Sequence, residues 1–300
     1  MKRFAVRRCI IGLLCAATLA VGGCSFVRLG YNQGHELAYW WLDRHVDFDV
    51  AQAPRVREAL ADWFAWHRRE QLPEYGRLLA RAQTEVLAPV TAAQVCSWYD
   101  EGRKRALLAF EQAVPAVAEL ASTLTPRQFE NIERRQAKVN TERREETMQP
   151  DPAKRLKALV KRTVDRAEML YGDVDDAQRT RLTQALAQSP LDPERAYAQR
   201  RRRQQEALQL LRQIARGGPA ASTSATAQRS AQDALLSYAR SVETPADADE
   251  RRHAAQVVQY HCAMLAVLHN STSAGQRRHA SDKLAHWNGD VRQLIADAAP

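Results

Sequence analysis

Long apolar runs are nearly absent from this 300-residue sequence. One stands near the start, from Cys9 through Ala20, and it is shorter than the roughly 20 residues that a bilayer-spanning helix needs. No second run of spanning length follows, so the body reads as a water-soluble fold. Strand patterning is missing as well: apolar residues recur at threes and fours, the helical period, rather than alternating. Catalytic signatures are equally scarce. There is no Gly-x-Ser-x-Gly elbow, phosphate-binding loop, dinucleotide fingerprint, His-Glu-x-x-His or Cys-x-x-Cys unit. Acidic residues are plentiful, but nearly all fall on charged helix faces, and no carboxylate pair stands out as acid and base. The expectation is a chain that is not an enzyme.

What is present begins with the first residues. Lys2, Arg3, Arg7 and Arg8 precede the apolar run, which ends in Val21-Gly22-Gly23-Cys24. Basic, then apolar, then small residues is the order of an export signal. The last stretch resembles the lipobox of bacterial lipoproteins. That resemblance implies removal of residues 1–23 and a covalent lipid on Cys24, with no other cofactor expected. Small residues enter a protease cleft, and only a thiol supplies the nucleophile for a thioether. At about 0.8 kcal/mol per buried methylene, two or three acyl chains anchor a protein almost irreversibly.

Ser25 follows the cysteine, in place of the aspartate that retains many enterobacterial lipoproteins at the inner membrane. The expected location is the periplasmic face of the outer membrane. Without residues 1–23, 40 basic side chains stand against 35 acidic ones, a net charge of +5 in place of +9. The surface is only mildly basic, and the compartment excludes nucleic acid. The expected partners are the membrane, through the anchor, and an unidentified envelope protein.

Two of the five cysteines lie in the signal and one carries the lipid, which leaves Cys96 and Cys262. An oxidising compartment permits one disulfide between them, worth about 4 kcal/mol in the entropic treatment because the closed loop is long. Two buried free thiols are the alternative, and spacing does not choose between them.

The fold class expected is all-α: a multi-helix bundle of antiparallel amphipathic helices behind a cleaved lipoprotein signal peptide. Helices are predicted over 50–70, 73–88, 91–120, 125–147, 152–171, 175–188, 192–216, 226–243, 246–270 and 273–297, broken mostly at prolines. The layout is a signal over 1–23, a lipidated tether over 24–36 and a main bundle over 37–216. A Gly/Ala/Ser/Thr-rich linker over 217–226 and a C-terminal helical unit over 227–300 complete it.

One pattern recurs. Phe48-Asp49-Val50-Ala51-Gln52, Val90-Thr91-Ala92-Ala93-Gln94, Leu124-Thr125-Pro126-Arg127-Gln128 and Val174-Asp175-Asp176-Ala177-Gln178 each read apolar, Asp or Thr, two residues, Gln. This is the sequence of a capping box: the first side chain accepts from the amide three residues on, and Gln reaches back. The spacings fit no single repeat, so these are read as helix starts and not as ligand sites.

Among candidate sites, His253, His261 and His269 are spaced by eight, which rotates each by about 80° on a helix and prevents a shared ion. No metal site is expected. Arg200-Arg201-Arg202-Arg203 reads as a solvated face, with anionic headgroups or glycan as the sharper alternative. Aromatic residues crowd behind the tether: Tyr31, Tyr39, Trp40 and Trp41, then Trp63, Phe64, Trp66, His67 and Arg68. Core packing between the first helices is the preferred reading. The alternative is an interaction surface made by Trp40, Trp41, Trp63, Trp66, His67 and Arg68.

The segments Tyr31-Asn32, Leu37-Ala38-Tyr39-Trp40-Trp41-Leu42-Asp43, Asp47 to Gln52, and Trp66-His67-Arg68 with Gln71-Leu72-Pro73-Glu74-Tyr75 resemble a family of uncharacterised bacterial helical lipoproteins, domain-of-unknown-function family 6279. The match is specific over about the first fifty residues after the signal and looser beyond. It implies a lipoprotein and no activity. Leu124 to Gln128 is also similar to the LTxxQ motif of small periplasmic helical chaperones. The function expected is a membrane-anchored, non-catalytic interaction or scaffold protein of the envelope. Chaperone-like holding of unfolded clients is the alternative, and an envelope hydrolase stands behind both.

Overall fold

The computed structural model describes residues 26–218 and 224–297; the expected export signal, Cys24 and part of the expected linker lie outside the described residues. Every regular element among the described residues is helical. They run α1 (Phe26–Asn32), α2 (Gly34–Val46), α3 (Gln52–Trp66), a π turn (His67–Gln71), α4 (Leu72–Glu85), α5 (Ala92–Ser122) and α6 (Pro126–Thr147). There follow α7 (Pro152–Tyr171), α8 (Asp176–Ala187), α9 (Pro193–Ala215), α10 (Ala225–Glu243), α11 (Ala248–Asn270) and α12 (Ala274–Ala296).

The helix starts follow from the capping chemistry. Thr91, Thr125 and Asp175 accept from the amides of Gln94, Gln128 and Gln178, and each glutamine accepts in return from the cap amide. Asp49 and Gln52 make the same exchange at 2.9 and 3.2 Å ahead of α3. A fifth box, Ser273 with Gln276, opens α12. The sequence pattern passed over it because it has Ser where the pattern asks for Asp or Thr, and Thr272 where it asks for an apolar residue.

Two boundaries differ from expectation. Pro73 does not break the chain: α3 continues through the π turn into α4, and Pro73 sits in the first turn of α4. There its missing N–H and fixed φ cost little, and the wider π turn makes the room. The stretch assigned to the tether is helical from Phe26, and α1 packs on α2 and α12.

The 31-residue α5 is the spine, about 47 Å long, in contact with α3, α9, α10 and α11. Neighbours run antiparallel. On α4 and α12, Ser281 Oγ donates to the Gln83 carbonyl at 3.1 Å, while Gly76 faces Asn288 and Val291. On α5 and α10, Arg103 pairs with Glu243 at one end, and Val114 and Ala118 pack with Ala231 and Leu235 at the other.

Three buried clusters form the core, and each draws on both sides of segment 217–226. Val164, Ala167, Val174 and Leu182 meet Leu268; Val114 and Ala118 meet Ala231 and Leu235; Val86 meets Ala280 and Leu284. Each fully buried aliphatic chain contributes about 1.5–3 kcal/mol. The three last helices thus rest on α4, α5, α7 and α8, and the segment before them joins parts of shared cores.

Candidate docking surfaces

The aromatic cluster behind α1 separates into an inward half and an outward half. Inward, Trp63 Nε1 donates to the Ala109 carbonyl at 2.9 Å, and its ring stacks on His67 at 4.9 Å between centroids. Tyr31 donates its hydroxyl to His67 Nδ1 at 2.9 Å and meets Phe64 edge-on at 5.6 Å. Arg68 lies over Tyr31 at 5.2 Å and donates to Asn32 Oδ1 at 2.8 Å. Trp63, Trp66, His67 and Arg68 are half-buried, as core packing requires. Burial lowers the His67 pKa and pushes the Tyr31 hydroxyl up to about 12, with Arg68 opposing the second shift in part. Gly34 is needed here, since a Cβ would stand 2.4 Å from the Phe64 ring.

Outward, α2 presents Leu37, Trp40 and Trp41, each more than half exposed. They fall at i, i+3 and i+4, which is one helix face. Arg44, at i+7, continues that face and sits 4.7 Å over the Trp40 ring. His45 Nδ1 donates to the Trp41 carbonyl at 2.7 Å, and its ring lies 4.2 Å from the Trp41 ring, which steadies that indole. Trp40 and Trp41 are therefore not core residues. No helix is predicted over 37–46, where core packing is the preferred reading; the chain forms α2 there and leaves this face uncovered.

Beside this face, α2 and α6 leave between them an open, shallow hollow of about 420 Å³ whose lining includes Asp43, Arg44, Asp47, Arg134, Arg135 and Lys138. Its charge is mixed with a basic excess. The arginine run on α9 is not a matching patch. Arg200 donates to Asn140, Arg202 pairs with Glu250, and Arg203 donates to the Val242 carbonyl at 3.2 Å.

Cys96 on α5 and Cys262 on α11 are joined as a disulfide, with Cα atoms 5.4 Å apart. The histidines spaced by eight go to separate places. His261 meets Ser189 Oγ at 3.1 Å, while His269 accepts from the Tyr171 hydroxyl at 2.9 Å and donates Nε2–H to the Ala88 carbonyl at 2.8 Å. Among the described residues no group of three metal-binding side chains gathers, and no helix is long and apolar enough to cross a membrane.

The sequence reading missed a use of the capping glutamines. Gln128 Nε2 donates to Gln52 Oε1 at 2.6 Å and to the Asp47 carbonyl at 3.0 Å; Gln52 Nε2 reaches the Thr123 carbonyl at 3.1 Å. Gln178 and Gln276 exchange amides at 2.9 Å in both directions, with further donations to Ser271 and Asp173 carbonyls. Each pair locks two helix hairpins tip to tip. The available signal was Gln at the closing position of every capping box, because Glu closes a box equally well but has no N–H to offer a partner. Leu124 to Gln128, similar to LTxxQ, is thus consumed by the fold.

Fold and surface together define a class: an all-helical bundle with an uncovered aromatic and basic face near the start of the chain. The chain belongs to the family of unknown function DUF6279, whose model matches residues 44–221. The match starts at Arg44, just past the Leu37 to Asp43 segment that carries Trp40 and Trp41, and extends through the helices up to α9. No curated protein and no solved structure matches the chain.

Proposed function

We propose that this protein is a bacterial envelope lipoprotein, acylated on Cys24 and held at the periplasmic face of the outer membrane, that acts without catalysis by docking a partner protein on the outward face of α2. The observation that carries the reading is the uncovered stripe of Leu37, Trp40, Trp41 and Arg44. Large aromatic side chains left in water cost free energy that a partner recovers, and Trp with Arg is the composition of interface hot spots. The lipobox-like segment a dozen residues upstream supports placement at a membrane.

The test is site-specific photo-crosslinking in cells from the position of Trp41, with Leu265 on α11 as an exposed control position. Recovery of one reproducible envelope protein, lost in the Leu37→Asp variant, is the expected result. Background labelling alone from both positions ends the docking reading. Cys24→Ser tests the anchor separately, since unchanged acylation and membrane retention in that variant would refute the lipobox assignment. Chaperone-like holding of clients predicts suppressed aggregation of an unfolded substrate by excess protein; the docking reading expects none.

A further inference from the structure

A second apolar feature lies apart from the α2 face. Helices α4, α5 and α12 leave between them an open groove of about 540 Å³, a size common for small-molecule sites. Leu78 and Leu79, Trp98, Trp287 and Val291 form its walls. The Trp98 N–H is already engaged, donating to Glu85 Oε2 at 2.9 Å, so that wall offers hydrocarbon and ring faces. Among the described residues lining it, Arg81, half-exposed and 3.7 Å from Glu85, is the one that is charged. Such a surface selects for a flexible hydrocarbon and has almost nothing with which to orient a polar ligand.

The occupant is indicated by where the described chain begins. Val27 of α1 lines the same groove and is nevertheless 49% exposed. Residues 1–25 precede the described chain, and Cys24 lies three residues before Val27, within about 10 Å along even an extended backbone. We infer that the groove receives one acyl chain of the lipid on Cys24 of this same molecule. This inference rests on the lipoprotein reading above.

The energetics are consistent with one chain in the groove and the rest in the bilayer. Moving a methylene from lipid to an apolar groove changes its free energy little, because both are hydrocarbon, whereas leaving it in water costs about 0.8 kcal/mol. The short tether makes entry intramolecular, at an effective concentration on the order of millimolar. Two chains are sufficient for stable anchoring, so a third is free to fold back. A chain held this way fixes α1, α4 and α12 against the membrane surface and sets the direction in which the rest of the body points.

The experiment uses the acylated full-length product, purified from membranes and placed in nanodiscs of phosphatidylethanolamine and phosphatidylglycerol. A benzophenone amino acid replaces Val291 in one sample and Leu265, outside the groove, in another. Mass spectrometry after illumination should show an intrachain adduct between the α12 peptide and the Cys24 lipopeptide from position 291 and not from 265. Gly102 lines the groove and a Cβ there meets nothing within 4 Å, so Gly102→Phe fills the groove without disturbing α5. It should cut that adduct at least five-fold, while Gly102→Ser leaves it. An acylated lipopeptide with no intrachain adduct, or adducts to nanodisc phospholipid alone, overturns the inference and leaves the anchor intact. An N-terminal peptide without acyl chains overturns the anchor, and this inference with it.

Discussion

The two ends of α5 are built with the same device and finished differently. At its C-terminal end, Gln52 and Gln128 pair beside Thr123; near its N-terminal end, Gln178 and Gln276 pair next to the α11 terminus, where Asn270 bonds both backbone groups of Val90. The N-terminal end adds the Cys96–Cys262 disulfide and the partly buried Tyr171–His269–Ala88 chain. The C-terminal end has neither, and lies against the loop that follows the outward face of α2. One end is covalently secured; the other is held by amide pairs and packing, next to the surface proposed to dock a partner. Identical local grammar therefore does not imply identical rigidity, because cross-links and burial are added by whichever helices arrive later.

The largest effect that tests this contrast is expected from the disulfide. Replacing Cys96 and Cys262 together by Ser should lower unfolding free energy by about 4 kcal/mol in denaturant titration. Hydrogen exchange should rise first around α11 and the start of α5, with less change near Gln128. Uniform loss of protection at both ends would remove the distinction.

Next come the amide pairs. Gln128→Glu and Gln178→Glu keep an acceptor for the cap but lose the donor to the partner hairpin, placing a carboxylate against carbonyl oxygens; each should cost about 3 kcal/mol. Gln→Ala at the same positions should cost about 1–3 kcal/mol, and Gln276→Ala less, because Gln276 is only half-buried. A double-mutant cycle of Gln52→Ala with Gln128→Ala should show coupling above about 0.5 kcal/mol. Strict additivity would mean that the glutamines act as caps alone.

The aromatic halves should separate similarly. Trp63→Ala should destabilise by about 3 kcal/mol, whereas Trp40→Ala and Trp41→Ala should stay within about 0.5 kcal/mol of the parent, and Trp40→Ala should abolish the crosslink made from position 41. Large destabilisation from the α2 tryptophans would show that their face is covered in the folded protein.

The smallest effect is in pH. Burial lowers the pKa of His67, His261 and His269 from the ordinary 6.5. For His269, Arg277 adds to the lowering and the bond to Ala88 opposes it. Unfolded histidine takes up its proton near 6.5, and the folded residues do so only at lower pH. Stability should therefore be full above 6.5, fall as pH drops from 6.5 through the lowered folded values, and level off below them. His269→Gln should flatten part of that slope in melts across the range, and an unchanged slope would remove His269 from the account.

Much of the fold was legible because capping and helical periodicity are local. Thr91, Thr125, Asp175 and Asp192 each place a side-chain oxygen within reach of the next amides whatever surrounds them. Pro73 misled because whether a proline breaks a helix depends on the turn before it, here widened to a π turn among Trp63, Trp66 and Gln71. Trp40 and Trp41 read as core packing and are exposed instead, because exposure is a property of neighbours that come from elsewhere in the chain.

The sequence by itself determined the class of fold, the starts of most helices and the lipobox-like segment, since each is encoded within a few consecutive residues. Only tertiary structure decided which capping glutamines meet, that Cys96 lies beside Cys262, that α2 keeps two tryptophans uncovered, and that a groove opens at Val27. Those outcomes depend on contacts between residues tens to hundreds of positions apart. Such contacts follow from how the helices pack around α5, and no local pattern records them.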